Sequence, residues 1–140
     1  MDPGSTPGIS TNSIMLYDPL RKMYVAATPE EQVRQWFIQS LKDTFGVPAH
    51  RMMSEVSMKF GDKRYRSDIL VYGKDARPLA VVECKRPEVS LSGEVLRQAM
   101  RYNMVLDVRF LIVTNGNSTY AYERKDGMFV PMGQMPDLNV

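Results

Sequence analysis

The residues that decide the fold are the nine at positions 79 to 87, Leu79-Ala80-Val81-Val82-Glu83-Cys84-Lys85-Arg86-Pro87. The apolar run predicts a buried strand, and it ends in a carboxylate and an ammonium group two positions apart. Because side chains alternate across a strand, Glu83 and Lys85 point to the same face. Burying such charges is costly unless each is paired or holds a metal ion. We therefore interpret this strand end as a functional site.

A second acid, Asp68, opens another β-rich apolar run fifteen positions upstream. Residues 73–78 between the two runs have the composition of a turn, so the simplest arrangement is a hairpin that brings Asp68 beside Glu83 and Lys85. Two carboxylates and a lysine suit hard-cation chemistry: the carboxylates hold Mg²⁺, and the lysine orients a nucleophile or stabilises charge on a phosphate. The pattern favours metal-dependent phosphodiester hydrolysis.

The length of 140 residues, 44% of them apolar, predicts one domain. We expect residues 14–140 to form it, and residues 1–13, rich in Gly, Pro, Ser and Thr, to be a flexible arm. A net charge of +2 neither requires nor excludes a nucleic-acid partner. The lone cysteine excludes an internal disulfide and favours the cytoplasm, and the absence of a long apolar run argues against a membrane location.

A first helix is predicted from residue 28 to about residue 45. Thr28 is the expected N-cap and Pro29 the first helical residue, Glu31 stands three residues after the cap as in a capping box, and Gly46 ends the helix. Glu30 falls on the apolar stripe of Val33, Phe37, Leu41 and Thr44 and so should point to the core or a cleft at its edge. Glu31 lies to the side, where it would serve the cap and the helix dipole.

The remaining pattern predicts strands at 53–60, 65–72, 79–85, 108–114 and 118–123. A second helix should run from about 91 to 106, with Val95, Ala99, Tyr102 and Leu106 on its buried face. The fold class is α/β: a mixed β-sheet flanked by helices, with three antiparallel strands and then a helical crossover to a parallel strand. On the second helix Gln98 and Tyr102, four positions apart, can reach one cleft.

These residues carry a resemblance. Asp68, then Glu83-Cys84-Lys85 and Gln98-Ala99-Met100-Arg101-Tyr102, resemble the PD-(D/E)xK nuclease superfamily and the Gln-x-x-x-Tyr motif of its RecB-like branch. More closely, four segments resemble the N-terminal nuclease domain of type I restriction enzyme R subunits: Pro29-Glu30-Glu31-Gln32-Val33-Arg34-Gln35, Arg66-Ser67-Asp68-Ile69, Val82-Glu83-Cys84-Lys85-Arg86-Pro87 and Thr114-Asn115-Gly116. The resemblance covers residues 28–123 and implies a restriction-endonuclease-like α-β-β-β-α-β core.

The resemblance also implies roles for individual residues. Asp68 and Glu83 would bind Mg²⁺, for which Mn²⁺ substitutes, with help from the backbone carbonyl of Cys84. Lys85 would serve the attacking water, and Gln98 and Tyr102 would complete the site from the second helix. The acid supplied by the first helix would be Glu30 by phase, with Glu31 as the second choice. Ser67 stands where the family usually has proline.

On the DNA side, a cluster of basic residues surrounds the first predicted hairpin: Lys59, Lys63, Arg64 and Arg66. These side chains could bind phosphates beside the cleft, although a solvated hairpin tip explains them equally well. Type I R subunits couple the nuclease to an ATP-driven translocase, yet this sequence has no Gly-x-x-x-x-Gly-Lys-Ser/Thr loop. A translocase or specificity subunit acting in trans stays open, as does a homo-oligomer.

The sequence thus predicts a cytoplasmic, Mg²⁺-dependent deoxyribonuclease of restriction type that cuts DNA internally. Two alternatives stay open. One is a catalytically silent nucleic-acid-binding or assembly module on the same fold. The other is a repair or junction nuclease, for which a preference for damaged or branched DNA would be diagnostic.

Overall fold

The computed structural model describes residues 14–140, so the arm predicted for residues 1–13 lies outside the described residues. A small antiparallel sheet opens this part, with β1 at Met15–Asp18 and β2 at Met23–Ala26. Helix α1 follows at Pro29–Asp43, and a single turn of 3-10 helix lies at Ala49–Arg51. The other helix is α2 at Gly93–Asn103.

Six strands form the main sheet in chain order: β3 at Met52–Phe60, β4 at Lys63–Tyr72, β5 at Pro78–Cys84, β6 at Phe110–Thr114, β7 at Thr119–Lys125 and β8 at Met128–Pro131. Strands β3, β4 and β5 are antiparallel, β5 and β6 are parallel across the α2 crossover, and β7 and β8 are again antiparallel. The predicted α/β fold, a mixed sheet flanked by helices, is therefore confirmed.

The helices cover opposite faces of the sheet. On one face, Phe37 and Leu41 of α1 pack with Ile69 and Val82 in a buried cluster. On the other face, Leu96 and other α2 residues pack with Leu70, Val81 and Leu111. Each large apolar side chain buried in this way contributes about 1.5–3 kcal/mol to folding. The two clusters hold α1 against β4 and β5 on one face and α2 against β6 on the other, so both helices flank the centre of the sheet, where β5 carries the Glu-x-Lys sequence.

Several local predictions were wrong in detail. Strands β1, β2 and β8 were not predicted, and β4 begins at Lys63, so Asp68 lies inside a strand and does not open it. Thr44 is exposed at the C-cap of α1 instead of joining the apolar stripe. The buried positions of α2 are Leu96, Ala99 and Asn103. Ala99 and Leu106 are buried as predicted, although Leu106 lies beyond the end of the helix, whereas Val95 is only partly buried and Tyr102 is exposed.

Candidate active site

The site lies where β4 and β5 separate. Their last backbone pair on this side is Ile69 with Val82, so the next residues, Asp68 and Glu83, stand side by side without a strand bridge. The backbone N–H of Cys84 instead donates a hydrogen bond to Asp68 Oδ2 at 2.7 Å. A side chain thus replaces the main-chain acceptor, which satisfies the backbone and holds the carboxylate in place.

Glu83 is held from two directions. Its Oε1 accepts a hydrogen bond from Asn103 Nδ2 at 3.1 Å, and its Oε2 lies 2.9 Å from Lys85 Nζ. The contact with Lys85 agrees with the prediction that the two side chains share a face. The Asn103 amide also donates to the Ala99 carbonyl at 2.8 Å, so α2 orients Glu83 from a buried position.

An open cleft of about 410 Å³ brings the predicted residues together. Its lining includes six residues that the sequence singled out as catalytic: Glu30, Asp68, Glu83, Lys85, Gln98 and Tyr102. Cys84 and Arg66 also line it. Residues from α1, β4, β5 and α2 therefore converge on one space, as the sequence predicted.

The two glutamates of the first helical turn have different surroundings. Thr28 Oγ1 accepts a hydrogen bond from the Glu31 N–H at 3.1 Å, which confirms Thr28 as the N-cap. The Glu31 carboxylate is buried and pairs with Arg34 and Arg21, and it does not line the cleft. Glu30 does line the cleft, with its side chain 43% exposed. The geometry thus favours Glu30 over Glu31 as the acid from the first helix.

The sequence interpretation missed three residues. Arg34 is buried and lies 3.0 Å from Asp68 Oδ1 through its Nη2. Asn103 is buried against Glu83, and Glu55 of β3 lies 3.5 Å from Arg34 Nη2. Asn103 could have been found as the polar member of the stripe Leu96–Ala99–Asn103, and Arg34 as the i+4 partner of Glu30. Glu55 carries no such signal.

Burial and neighbouring charges shift the pKa values of Asp68, Glu30 and Lys85. Burial raises the pKa of Asp68 above its ordinary value of 3.8, although the Cys84 N–H and Arg34 pull it down. Burial and the charge of Asp68 raise the pKa of Glu30 above 4.5. Burial lowers the pKa of Lys85, but its hydrogen bond to Glu83 and nearby carboxylates outweigh this, so its pKa lies above 10.5. Lys85 is therefore a cation at neutral pH.

These shifts predict how the metal-free protein responds to pH. Because the folded state raises the pKa of Asp68 and Glu30, it binds protons more tightly than the unfolded chain. The contribution of these groups is most favourable below their ordinary pKa values and is lost as pH rises through the folded values. Urea unfolding in EDTA should show the free energy of unfolding of Asp68→Asn declining less than that of wild type from about pH 4 upward. Equal declines would contradict the shift.

A family model described as the type I restriction enzyme R protein N terminus matches residues 29–136. The chain belongs to this family. No curated protein matches it. Within the R-protein N-terminus family, the matched range contains every residue of the cleft named above.

A solved structure shares the fold of this R-protein N-terminus. It is a fragment described as an HsdR subunit of a type I restriction enzyme from Vibrio vulnificus YJ016, with a TM-score of 0.55 and 20% sequence identity. The match covers 76% of this chain and 23% of that chain. The chain thus spans less than a quarter of the HsdR fragment, and the likeness supports the fold. Among residues 14–140, no helix is long and apolar enough to cross a membrane.

Proposed function

We propose that the chain is a metal-dependent DNA endonuclease domain of the PD-(D/E)xK type. The observation that carries the proposal is the meeting of Asp68, Glu83 and Lys85 in one cleft, with Glu30 approaching from α1. Perturbed carboxyl groups that share a cleft with a lysine are typical of functional sites. Membership of the type I R-protein family agrees with this chemistry.

The donor set fits Mg²⁺ or Mn²⁺. Asp68 and Glu83 offer hard carboxylate oxygens. Each of the four oxygen atoms contacts one partner and so keeps a lone pair for a further contact. In the part of the chain that is described, no three His, Cys, Asp or Glu residues form a compact metal cluster. Mg²⁺ needs no such cluster, because it binds through one or two carboxylates and keeps several waters. The Cys84 thiol, whose pKa burial raises far above 9.0, would contribute only through its backbone carbonyl.

The chain's own residues divide the chemistry between them. A divalent ion bound at Asp68 and Glu83 would make water more nucleophilic and neutralise charge on the phosphate. Lys85, held by Glu83, faces the cleft as a cation and can orient the attacking water or stabilise the developing negative charge. Asn103 fixes Glu83 from behind, so the donor geometry is set before substrate binds.

The DNA path is proposed to follow the β3–β4 hairpin into the cleft. All four basic residues predicted for phosphate contacts, Lys59, Lys63, Arg64 and Arg66, are exposed there. An aromatic strip runs beside them: the rings of Phe60 and Tyr65 are 5.8 Å apart, and those of Tyr65 and Tyr102 are 5.2 Å apart. The Arg66 N–H donates to the Tyr102 hydroxyl at 2.9 Å, which ties the hairpin to α2 at the cleft.

Salt should weaken DNA binding strongly if this hairpin contacts phosphates. Each phosphate contact contributes about −0.9 to the slope of log K against log salt. The triple variant Lys59→Gln/Lys63→Gln/Arg64→Gln should therefore flatten that slope by about 2–3 in fluorescence anisotropy. The matched control is Lys22→Gln/Lys74→Gln/Lys125→Gln, which removes equal charge elsewhere. Equal slopes for the two triple variants would argue against phosphate contacts by the β3–β4 hairpin.

The direct test of the function is incubation of the purified protein with supercoiled plasmid and Mg²⁺ or Mn²⁺, without ATP. We expect slow nicking and linearisation with little sequence selectivity, because the chemistry requires only the cleft and phosphate contacts carry no base information. No cleavage with either ion would overturn the proposal. Cleavage that occurs only with added ATP would show that the nuclease activity depends on a motor. A translocase or specificity subunit in trans is proposed on family grounds alone, and a cytoplasmic setting on those grounds together with the lone cysteine.

A second candidate is a silent nucleic-acid-binding module on the same fold. Arg34 favours it, because its guanidinium occupies Asp68 Oδ1, one of the oxygens that a metal ion would use. The plasmid experiment separates the two candidates when combined with a binding measurement. Tight DNA binding without cleavage, unaffected by Lys85→Ala, would support the silent module.

A further inference from the structure

Arg34 is a buried guanidinium group surrounded by four carboxylates. The residue is 3% exposed. Its Nη2 lies 3.0 Å from Asp68 Oδ1, 3.5 Å from Glu55 Oε2 and 4.0 Å from Glu30 Oε1, while Nη1 donates to Glu31. One cation therefore serves an acidic cluster, Glu30, Glu31, Glu55 and Asp68, whose members come from α1, β3 and β4.

The four acids depend on Arg34 to different degrees. Glu31 has a second cation in Arg21 at 2.9 Å, and Glu55 has one in Arg66 at 3.5 Å. For Asp68 and Glu30, Arg34 is the one salt-bridge partner within residues 14–140. Like charges that share a partly buried space repel unless a cation lies between them. Without Arg34, Asp68 and Glu30 would face each other with no cation in direct contact, because the salt bridge of Lys85 is to Glu83.

Glu55 adds an independent sign that this cluster is built around the guanidinium. Its backbone φ is 56°, in the left-handed region that residues other than glycine rarely adopt, although Glu55 lies inside strand β3. It would stand opposite Asp68, yet the strand pairing skips this position. Such conformations persist where surrounding interactions hold them. In the conformation of Glu55, the carboxylate contacts both Arg34 and Arg66.

We propose that Arg34 is a built-in cation that takes the place of one divalent ion on the α1 side of the cleft. It is a positioning residue: it holds Asp68 and Glu30 together in the metal-free protein and limits the cleft to the ion that Asp68 and Glu83 would share. The limit of one ion rests on the proposed function, in which Asp68 and Glu83 are the ligands. The role as counter-ion rests on the contacts of Arg34 alone.

The test replaces the guanidinium and supplies a divalent ion instead. Arg34→Gln in EDTA should have a Tm at least about 5 °C below wild type. Ca²⁺, a hard ion that carboxylates bind well, should raise the Tm of Arg34→Gln by more than it raises that of wild type. Calorimetry should then show one more Ca²⁺ per chain in Arg34→Gln. Arg34→Lys keeps the charge and should bind as many ions as wild type. Arg97→Gln, an exposed arginine on α2, is the matched control.

The outcomes decide the proposal in each case. A Tm loss that Ca²⁺ does not reverse, or unchanged ion stoichiometry, would reduce Arg34 to a structural residue and overturn it. Should Arg34→Gln stay unfolded even with Ca²⁺, Arg34→Gln/Glu31→Gln removes the acid on Nη1 as well, and failure to bind the extra ion there would overturn it too. Wild-type cleavage with no extra ion in the variant would refute the role of Arg34 and leave the nuclease proposal intact. An extra ion in the variant together with an inactive wild type would support the role of Arg34 and refute the nuclease proposal.

Discussion

Replacing Lys85 with alanine should reduce DNA cleavage by at least about a hundredfold while leaving the fold unchanged. The ammonium group is a third exposed and forms a salt bridge to Glu83, and a pair of this kind contributes little to stability, about 0–1 kcal/mol. In the transition state the same charge faces the negative charge that develops on the phosphate, and it stabilises that charge more than it stabilises the ground state. The effect should appear in kcat and kcat/KM together, because the contact is made to developing charge.

The measurement is initial-rate plasmid cleavage in Mg²⁺ and in Mn²⁺, with circular dichroism and a thermal melt on the same samples. Lys74→Ala is the matched control, because Lys74 is an exposed lysine in the turn at the other end of the β4–β5 hairpin. It should cleave at the wild-type rate. A folded Lys85→Ala protein that cleaves as fast as wild type would remove Lys85 from the mechanism.

The central part of the fold was predictable because each of its signals is local. The apolar run before Glu83 predicts a buried strand, the turn-like residues before it predict a hairpin, and Thr28 with Pro29 predicts the start of a helix. Each signal needs only neighbouring residues to act. The mixed sheet follows, since a helix between two strands supplies the long crossover that parallel neighbours require.

The short outer strands could not be predicted in the same way. Strands β1, β2 and β8 have four residues each, too few to establish alternation. Several of their side chains, Tyr17 and Tyr24 among them, remain exposed, so the strands show no regular buried face. These strands are fixed by pairing with a neighbour, and pairing is not written in the pattern of one segment.

The residues of the candidate site also fall into those that local sequence signals predict and those that depend on distant partners. Asp68, Glu83 and Lys85 were predictable because a strand end that concentrates charge is unusual in itself. Arg34 and Asn103 were not, because they are polar residues buried by partners distant in sequence: Asp68 is 34 positions from Arg34, and Glu83 is 20 from Asn103. A buried arginine needs partners for its charge and its N–H donors, so the burial of Arg34 depends on the complete fold.

The second large effect concerns the two carboxylates. Asp68→Asn and Glu83→Gln should each weaken Mg²⁺ and Mn²⁺ binding at least about tenfold and abolish cleavage, because an amide keeps the shape but loses the charge that holds a hard cation. Both side chains keep hydrogen-bond acceptors, so the contacts from Cys84 N–H and Asn103 can persist. Calorimetry with the metal-free proteins measures the loss. Glu88→Gln, an exposed acid outside the cleft, should bind metal like wild type.

Stability separates the two substitutions. Burial raises the pKa of Asp68 in spite of Arg34, so its charged form is disfavoured in the fold. Asp68→Asn should therefore leave the Tm in EDTA unchanged or slightly higher, while Arg34 keeps three other acids. Glu83→Gln leaves Lys85 without its salt bridge to Glu83, so this substitution should not raise the Tm. If both variants bind Mn²⁺ with wild-type affinity, the cleft is not a metal site. If Asp68→Asn melts well below wild type, the Asp68–Arg34 ion pair stabilises the fold more than burial of the carboxylate costs.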